Sequence, residues 1–368
     1  MIPFGDPFAS YQAHKQEVDG AIQRVLDSGW YVLGKEVNAF EDEFASFHGE
    51  NLYAVGVANG TDAIALCLRS LGLGLGDEVI TPSHTAVATI AGIEQARCTP
   101  VFADIDPLSR CIAPQSIVER IGPKTRAIMP VHIYGQPTEM HKILELGNAH
   151  KLEVIEDCSQ AHGAEINGQK VGTFAKFAAF SCYPTKNLGG TGDGGVILCH
   201  SKDFANKIKS LRQYGWNEQR ESITVGNNSR LDELQAAILR VKLKYLSQDN
   251  EKRRSIAQRY NRAFKNLPIS LPSQNTNELH AMHLYVIECE KRDKLLDHLR
   301  SKKVGASLHY PLPVHKQAAY ANRIRGGDDL SATEHFYQKN LTLPMFPELN
   351  EEKIEHIISS VISWFASP

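Results

Sequence analysis

The chain has 368 residues, with 40 Lys and Arg against 42 Asp and Glu and a formal net charge of −2. That length is too great for one small core and suits a large domain joined to a smaller one. The near-neutral balance, with no basic stripe, argues against nucleic acid or an anionic membrane as partner.

Met1-Ile-Pro-Phe-Gly-Asp-Pro7 lacks the charged and apolar regions of a signal peptide, and no apolar run approaches the roughly twenty residues of a membrane span. Val18, Ile22, Val25 and Leu26 repeat at helical spacing, which predicts an amphipathic helix from about Tyr11 to Asp27. It ends at Ser28-Gly29, and the aromatic loop Trp30–Gly34 follows. A second helix is expected from near Thr61 to the glycines 72, 74 and 76. That glycine cluster does not complete GxGxxG and follows a helix, so it reads as a helix end and turn rather than a dinucleotide site.

Beyond it, apolar strands alternate with helices. Strands are expected at Glu78–Thr81, Pro100–Ala103, Arg126–Val131, Leu152–Ile155, Phe177–Ser181 and Gly195–Cys199, with helices such as Thr85–Ala96 and Thr138–His150 between them. This alternation predicts an α/β fold with a mostly parallel sheet covered on both faces. Ligands on such sheets bind beyond the carboxyl ends of the strands, which places Ser83, His84, Asp157 and Ser181 on one rim. Leu231, Leu234, Ile238, Val241 and Tyr245 then open a long helix expected to run to about Phe264. The boundary is placed within it. Residues 1–245 are expected to form a large α/β domain and 246–368 a small α+β domain, with strands near His283–Cys289 and Gly305–Tyr310. The seven scattered cysteines form no CxxC pair, which fits free thiols in a reducing cytoplasm.

The chemistry centres on Lys186, in Phe180-Ser-Cys-Tyr-Pro-Thr-Lys-Asn-Leu-Gly-Gly190. A lysine beside a glycine-rich turn, with a strand-end carboxylate at Asp157, suits pyridoxal phosphate. That cofactor needs an amine for a Schiff base and an anion to keep its ring nitrogen protonated. A free ammonium is inert, so the site must lower the pKa of Lys186 or hold it as an imine. Thr61, with Asn59 and Gly60 before it, sits at a helix N-terminus, where unpaired N–H groups bind phosphate. Taken singly, Asp157 and Asn59 are equally helix caps, and a loop histidine such as His84 is more often structural. No HExxH or other metal spacing occurs, and His309 and His315 are poorly spaced for one ion.

Over nearly its whole length the chain resembles the DegT/DnrJ/StrS-type nucleotide-sugar aminotransferases. The resemblance lies in Ser28-Gly-Trp-Tyr-Val-Leu-Gly34, Asn59-Gly-Thr-Asp-Ala63, Pro82-Ser-His-Thr85, Pro130-Val-His-Ile-Tyr-Gly-Gln136 and Glu156-Asp-Cys-Ser-Gln-Ala-His-Gly163. It continues through Ser181–Gly190, Gly226-Asn-Asn-Ser-Arg-Leu-Asp-Glu-Leu-Gln-Ala-Ala237 and His309-Tyr-Pro311. The resemblance implies a PLP-dependent transferase of fold type I, aspartate aminotransferase-like. It implies that Lys186 forms the Schiff base, Asp157 pairs with the pyridinium, Gln160 bonds the ring hydroxyl and His84 stacks on the ring. Gly60, Thr61 and Ser181 would hold the phosphate, completed by Asn228 from the second subunit of a homodimer.

The implied reaction carries the amino group of L-glutamate to a nucleotide-linked keto-sugar. Asn228–Gln235, Tyr183 and His309-Tyr-Pro311 resemble members acting at C3, those making dTDP-3-amino-3,6-dideoxyhexoses. Trp30, Tyr31, Tyr183, Arg230, His309, Tyr310 and His315 are the expected sugar or nucleotide contacts. A 4-keto sugar or a UDP-linked 3-keto sugar is the alternative. A non-catalytic regulatory homologue is a third reading, opposed by the retention of Lys186, Asp157, Gln160 and Ser181 together.

Overall fold

The computed structural model describes residues 1–273 and 275–366. Among the described residues twelve strands follow in chain order: β1 Tyr53–Val57, β2 Glu78–Pro82, β3 Thr99–Ala103, β4 Thr125–Ile128, β5 Glu153–Asp157, β6 Glu165–Ile166, β7 Gln169–Lys170, β8 Phe177–Ser181, β9 Gly195–Cys199, β10 Glu278–Leu279, β11 Tyr285–Glu288 and β12 Asn340–Leu343. Seven of them form one sheet in the order β1-β9-β8-β5-β4-β2-β3. Only β9 runs against its neighbours, so the other six deliver their carboxyl ends to one rim.

Period-two alternation builds the layers. Along β8, Ala178 and Phe180 enter the core that contains Phe40 and Phe44, while Phe177 and Ala179 enter the core on the opposite face with Ile64 and Leu68. With both faces buried, the strand interiors are mostly apolar, and the buried carboxylates Glu156 and Asp157 fall at the carboxyl end of β5. β1 carries little sequence signal because Gly56 interrupts its apolar run. A Cβ there would lie 3.0 Å from Leu231 Cβ, so any larger residue would push Leu231 aside.

Four expected elements differ. The segment Tyr11–Asp27 is two helices, Pro7–Ala13 and Lys15–Ser28, broken at His14. The long helix is also two, Glu233–Leu243 and Leu246–Phe264. No Pro or Gly marks this second break. Instead Tyr245 stacks on His14 at 4.0 Å between ring centroids and bonds Glu17, and this packing fixes both breaks together. Gly305–Tyr310 is not a strand. Gly305 N donates to Ile2 O, Ser307 makes a single bridge to Thr342, and Pro311 ends the extended run. The strand Arg126–Val131 stops early at Ile128, since Pro130 has no N–H to continue the ladder.

β11 and β12 pair antiparallel against a separate apolar core that includes Tyr260, Leu295 and Ile357. Among the described residues no helix is long and apolar enough to cross a membrane.

Candidate active site

The rim of the sheet holds a cavity of about 260 Å³. Asp157, the last residue of β5, is buried there. Its Oδ2 accepts from Thr89 Oγ1 at 2.8 Å and its Oδ1 from Ser159 N at 3.1 Å. Thr89 in turn pairs with Thr85 at 2.6 Å. Hydroxyl and amide donors thus fix the carboxylate in place, suited to a protonated ring nitrogen.

Lys186 reaches the same cavity from the turn after β8. Burial lowers its amine from 10.5 to about 8, an effect that the nearby Asp157 carboxylate opposes. A neutral, nucleophilic amine is therefore accessible near neutral pH. Gln160 lines the same cavity. Its Oε1 accepts from Tyr134 N at 2.7 Å and its Nε2 donates to Tyr310 Oη at 2.8 Å, which orients the carboxamide and leaves one N–H to offer.

A helix N-terminus also opens on this cavity. Asn59 caps the helix Gly60–Ser70 by accepting from Asp62 N at 2.8 Å. Gly60 passes so near Ser181 that a Cβ would meet Ser181 Cβ at 2.7 Å. The absent side chain brings a helix N-terminus, Thr61 and the Ser181 hydroxyl to one spot, where an anion is stabilised. Amine, carboxylate and anion cradle share one cavity, and these residues fit pyridoxal phosphate.

The profile of the DegT/DnrJ/EryC1/StrS aminotransferase family matches residues 12–362. The chain belongs to this family. The aminotransferase is 41% identical over 364 residues to the dTDP-3-amino-3,4,6-trideoxy-alpha-D-glucose transaminase of Streptomyces venezuelae, covering 99% of this chain and 96% of that one. It is 42% identical over 361 residues to the dTDP-3-amino-3,6-dideoxy-alpha-D-galactopyranose transaminase of Aneurinibacillus thermoaerophilus, covering 98% and 99%. Among solved structures, that of S. venezuelae DesV in complex with a ketimine intermediate superposes with a TM-score of 0.97 at 40% identity, covering 100% and 99% of the two chains.

Other expected site residues of the aminotransferase lie elsewhere. His84 does not face the cavity. Its ring is fully buried, Nδ1 bonds Tyr337 Oη at 3.1 Å, and Tyr134, Phe336 and Tyr337 surround it edge-on. The expectation that it stacks on the cofactor is thereby corrected: the chain turns after β2 so that Ala86 and Ala88 line the cavity instead. His315 is likewise outside, bonded through Nδ1 to Ser83 Oγ at 2.7 Å and through Nε2 to Glu334 at 3.2 Å. This Ser-His-Glu row is no nucleophile, because Ser83 is fully buried and also accepts from His315 N.

Tyr183 lines the cavity and is half exposed. Tyr310 touches it through Gln160, and His309 is anchored to Thr342 at 2.9 Å. Trp30 and Tyr31 stand 63% and 50% exposed, and together with Arg230 and Asn228 they lie outside the cavity of their own chain.

Sequence reasoning missed Thr89, whose only signal is a β-branched hydroxyl in the apolar first turns of the helix Val87–Gln95. It also missed Glu233. This buried carboxylate accepts from Gly34 N at 2.8 Å, Val37 N at 2.9 Å and Glu36 N at 2.9 Å, capping the helix Lys35–His48 and holding the aromatic loop before it. His132 and Glu156, 3.1 Å apart, gather with Cys158, but Glu156 already accepts from Gly172, Phe174 and Ala175 N. That saturation makes the cluster a clasp for the loop after β7 rather than a metal centre. Cys182 is fully buried and burial pushes its thiol up to about 12, so it packs rather than reacts.

Proposed function

We propose that the aminotransferase moves the amino group of L-glutamate onto C3 of a dTDP-linked 3-keto-6-deoxyhexose. The convergence of Lys186, Asp157 and the Gly60–Ser181 cradle on one cavity carries the amino-transfer reading. Likeness over nearly the whole chain to two dTDP-3-amino-sugar transaminases supports the sugar and its position. The cofactor is pyridoxal phosphate, which supplies an electron sink for the carbon that exchanges nitrogen.

The chain's own groups do the rest. Lys186 Nζ holds the resting cofactor and, once released, takes a proton from the donor carbon and returns one during transfer. Asp157 keeps the ring nitrogen protonated, and Thr89 and Ser159 N keep Asp157 in place. Gln160 offers its remaining N–H to the ring hydroxyl. Gly60, Thr61 and Ser181 hold the phosphate, completed by Asn228 of a second copy, so that the working unit is a homodimer. Trp30, Tyr31, Tyr183, Arg230, His309 and Tyr310 contact the sugar nucleotide within or across that dimer. Residues 1–245 and 246–368 act as its large and small domains.

The test adds L-glutamate to the purified coloured protein and follows loss of the visible band, then offers keto-sugars one at a time. Return of the band with a dTDP-3-keto sugar alone supports the proposal. Return only with a 4-keto or UDP-linked sugar overturns the substrate, and no response to glutamate overturns the donor.

A further inference from the structure

The turn that carries Lys186 is fastened to the large sheet on one side. Lys186 N donates to Tyr183 O and Gly190 N to Cys182 O, each at 2.8 Å. Gly189 runs so close to Pro184 that a Cβ would lie 2.5 Å from its carbonyl oxygen, and Leu188 is fully buried. On the other side, one side chain leaves the turn and crosses to the C-terminal part of the chain. That side chain is Asn187.

Asn187 Nδ2 donates to Asn250 Oδ1 and to Ala281 O, both at 2.8 Å, and its Oδ1 lies 3.0 Å from His283 Nδ1. Burial holds the His283 imidazole neutral, and Nδ1 is then the protonated nitrogen that donates. Both amide hydrogens and the carbonyl oxygen of Asn187 are therefore committed. Its partners are tied in turn. Asn250 Nδ2 donates to His162 O at 2.8 Å, Ala281 N to Gly135 O at 3.0 Å and His283 N to Tyr134 O at 2.9 Å. Tyr134 N donates to Gln160 Oε1 at 2.7 Å. A continuous chain of hydrogen bonds runs from the neighbour of Lys186, through His283 and Tyr134, to Gln160 in the cavity wall.

We propose that Asn187 is the positioning residue for Lys186, clamping its turn so that only the lysine side chain moves when the amine is released and recaptured. The proposal rests on the reading of Lys186 as the amine that holds the cofactor. A lysine stem has four flexible carbons and wide rotamer freedom, so a backbone that also shifted would return the amine to the wrong place. A misplacement of roughly 1 Å costs about a hundredfold in rate.

The test compares the wild type with Asn187→Ala and with Asn187→Asp, which is isosteric and keeps an acceptor for His283 while losing both donors. Each variant should bind cofactor with a visible band and keep its near-ultraviolet circular dichroism. kcat should fall about 10- to 100-fold with KM for the amino donor within about twofold. Amide hydrogen exchange over residues 185–190 of the cofactor-free chain should accelerate about tenfold or more. Wild-type kcat and exchange in Asn187→Asp, or a loss confined to KM, would overturn the clamp. If Asn187→Ala does not fold, Asn187→Asp decides alone. A wild type that never takes up cofactor would refute the reading of Lys186 instead, and exchange in the free chain would still judge the clamp.

Discussion

Replacing Asp157 by Asn should make the cofactor-free chain take up pyridoxal phosphate more readily at low pH while making the loaded enzyme turn over more slowly. Uptake needs the neutral amine of Lys186. With its pKa at about 8, roughly a tenth of the amines are neutral at pH 7; at the ordinary 10.5 the fraction would be roughly 0.03%, about 300-fold less. Burial causes this shift, and the Asp157 carboxylate works against it by favouring the ammonium. Removing that charge lowers the pKa further, so the neutral fraction at pH 6–7 rises, up to about tenfold for each unit gained. Asn keeps an acceptor for Ser159 N, and its amide can donate to Thr89 Oγ1, so the pocket retains its shape. In the loaded enzyme the same change removes the counter-charge of the ring nitrogen, and turnover should fall on the order of a hundredfold, the scale of losing one preorganised electrostatic partner. The assay is stopped-flow uptake by the free chain between pH 6 and 10, read by visible absorbance. A simple alkylamine run alongside cancels the ionisations of the aldehyde itself. A wild-type midpoint near 10.5, or a midpoint that stays put or rises in Asp157→Asn, would refute the reasoning.

Gly60→Ala should weaken cofactor binding by at least about tenfold, near 1.4 kcal/mol, because the new Cβ falls 2.7 Å from Ser181 Cβ; titration of the free chain measures it, and wild-type affinity would mean the cradle has slack. Glu233→Gln leaves one oxygen where two served three N–H groups, and stability should drop by about 2–4 kcal/mol, with faster exchange at residues 34–37; a urea midpoint equal to the wild type would deny the cap its role. Mixing inactive Lys186→Ala and Asn228→Ala subunits should restore part of the activity, since one site of each mixed dimer would be intact; no recovery would count against a site shared between subunits. In the cofactor-free chain, stability should rise between about pH 8 and 10.5, because there the unfolded lysine still holds the proton that the folded one has released; thermal melts across that window check the sign.

Much of the site was legible because its chemistry sits at strand ends and beside glycines. Lys186, Asp157, Thr61 and Ser181 each follow an apolar strand or open a helix, and a parallel sheet sends all such ends to one rim. Phe177–Ser181 and Gly195–Cys199 were legible as strands from their apolar runs, but only the structure shows which of their residues enter which core layer. Periodicity could not tell where helices break, for Tyr245 continues the apolar spacing perfectly well. Only its stacking on His14, far away in the chain, ends one helix and starts the next.

The same limit applies to His84, Thr89 and Asn187. A histidine after a strand is equally placed to face a ligand or the core, and the choice was made by Tyr337, Phe336 and Tyr134 closing around the ring. Thr89 and Asn187 gain their meaning from partners in distant segments, Asp157 for one and Asn250, Ala281 and His283 for the other. The sequence by itself determined the alternating elements and marked the Lys186 amine, the Asp157 carboxylate and the helix N-terminus at Gly60, because these depend on local pattern and on the direction of a parallel sheet. The tertiary structure alone decided what orients those groups, because a hydrogen bond between distant side chains leaves no period in the chain.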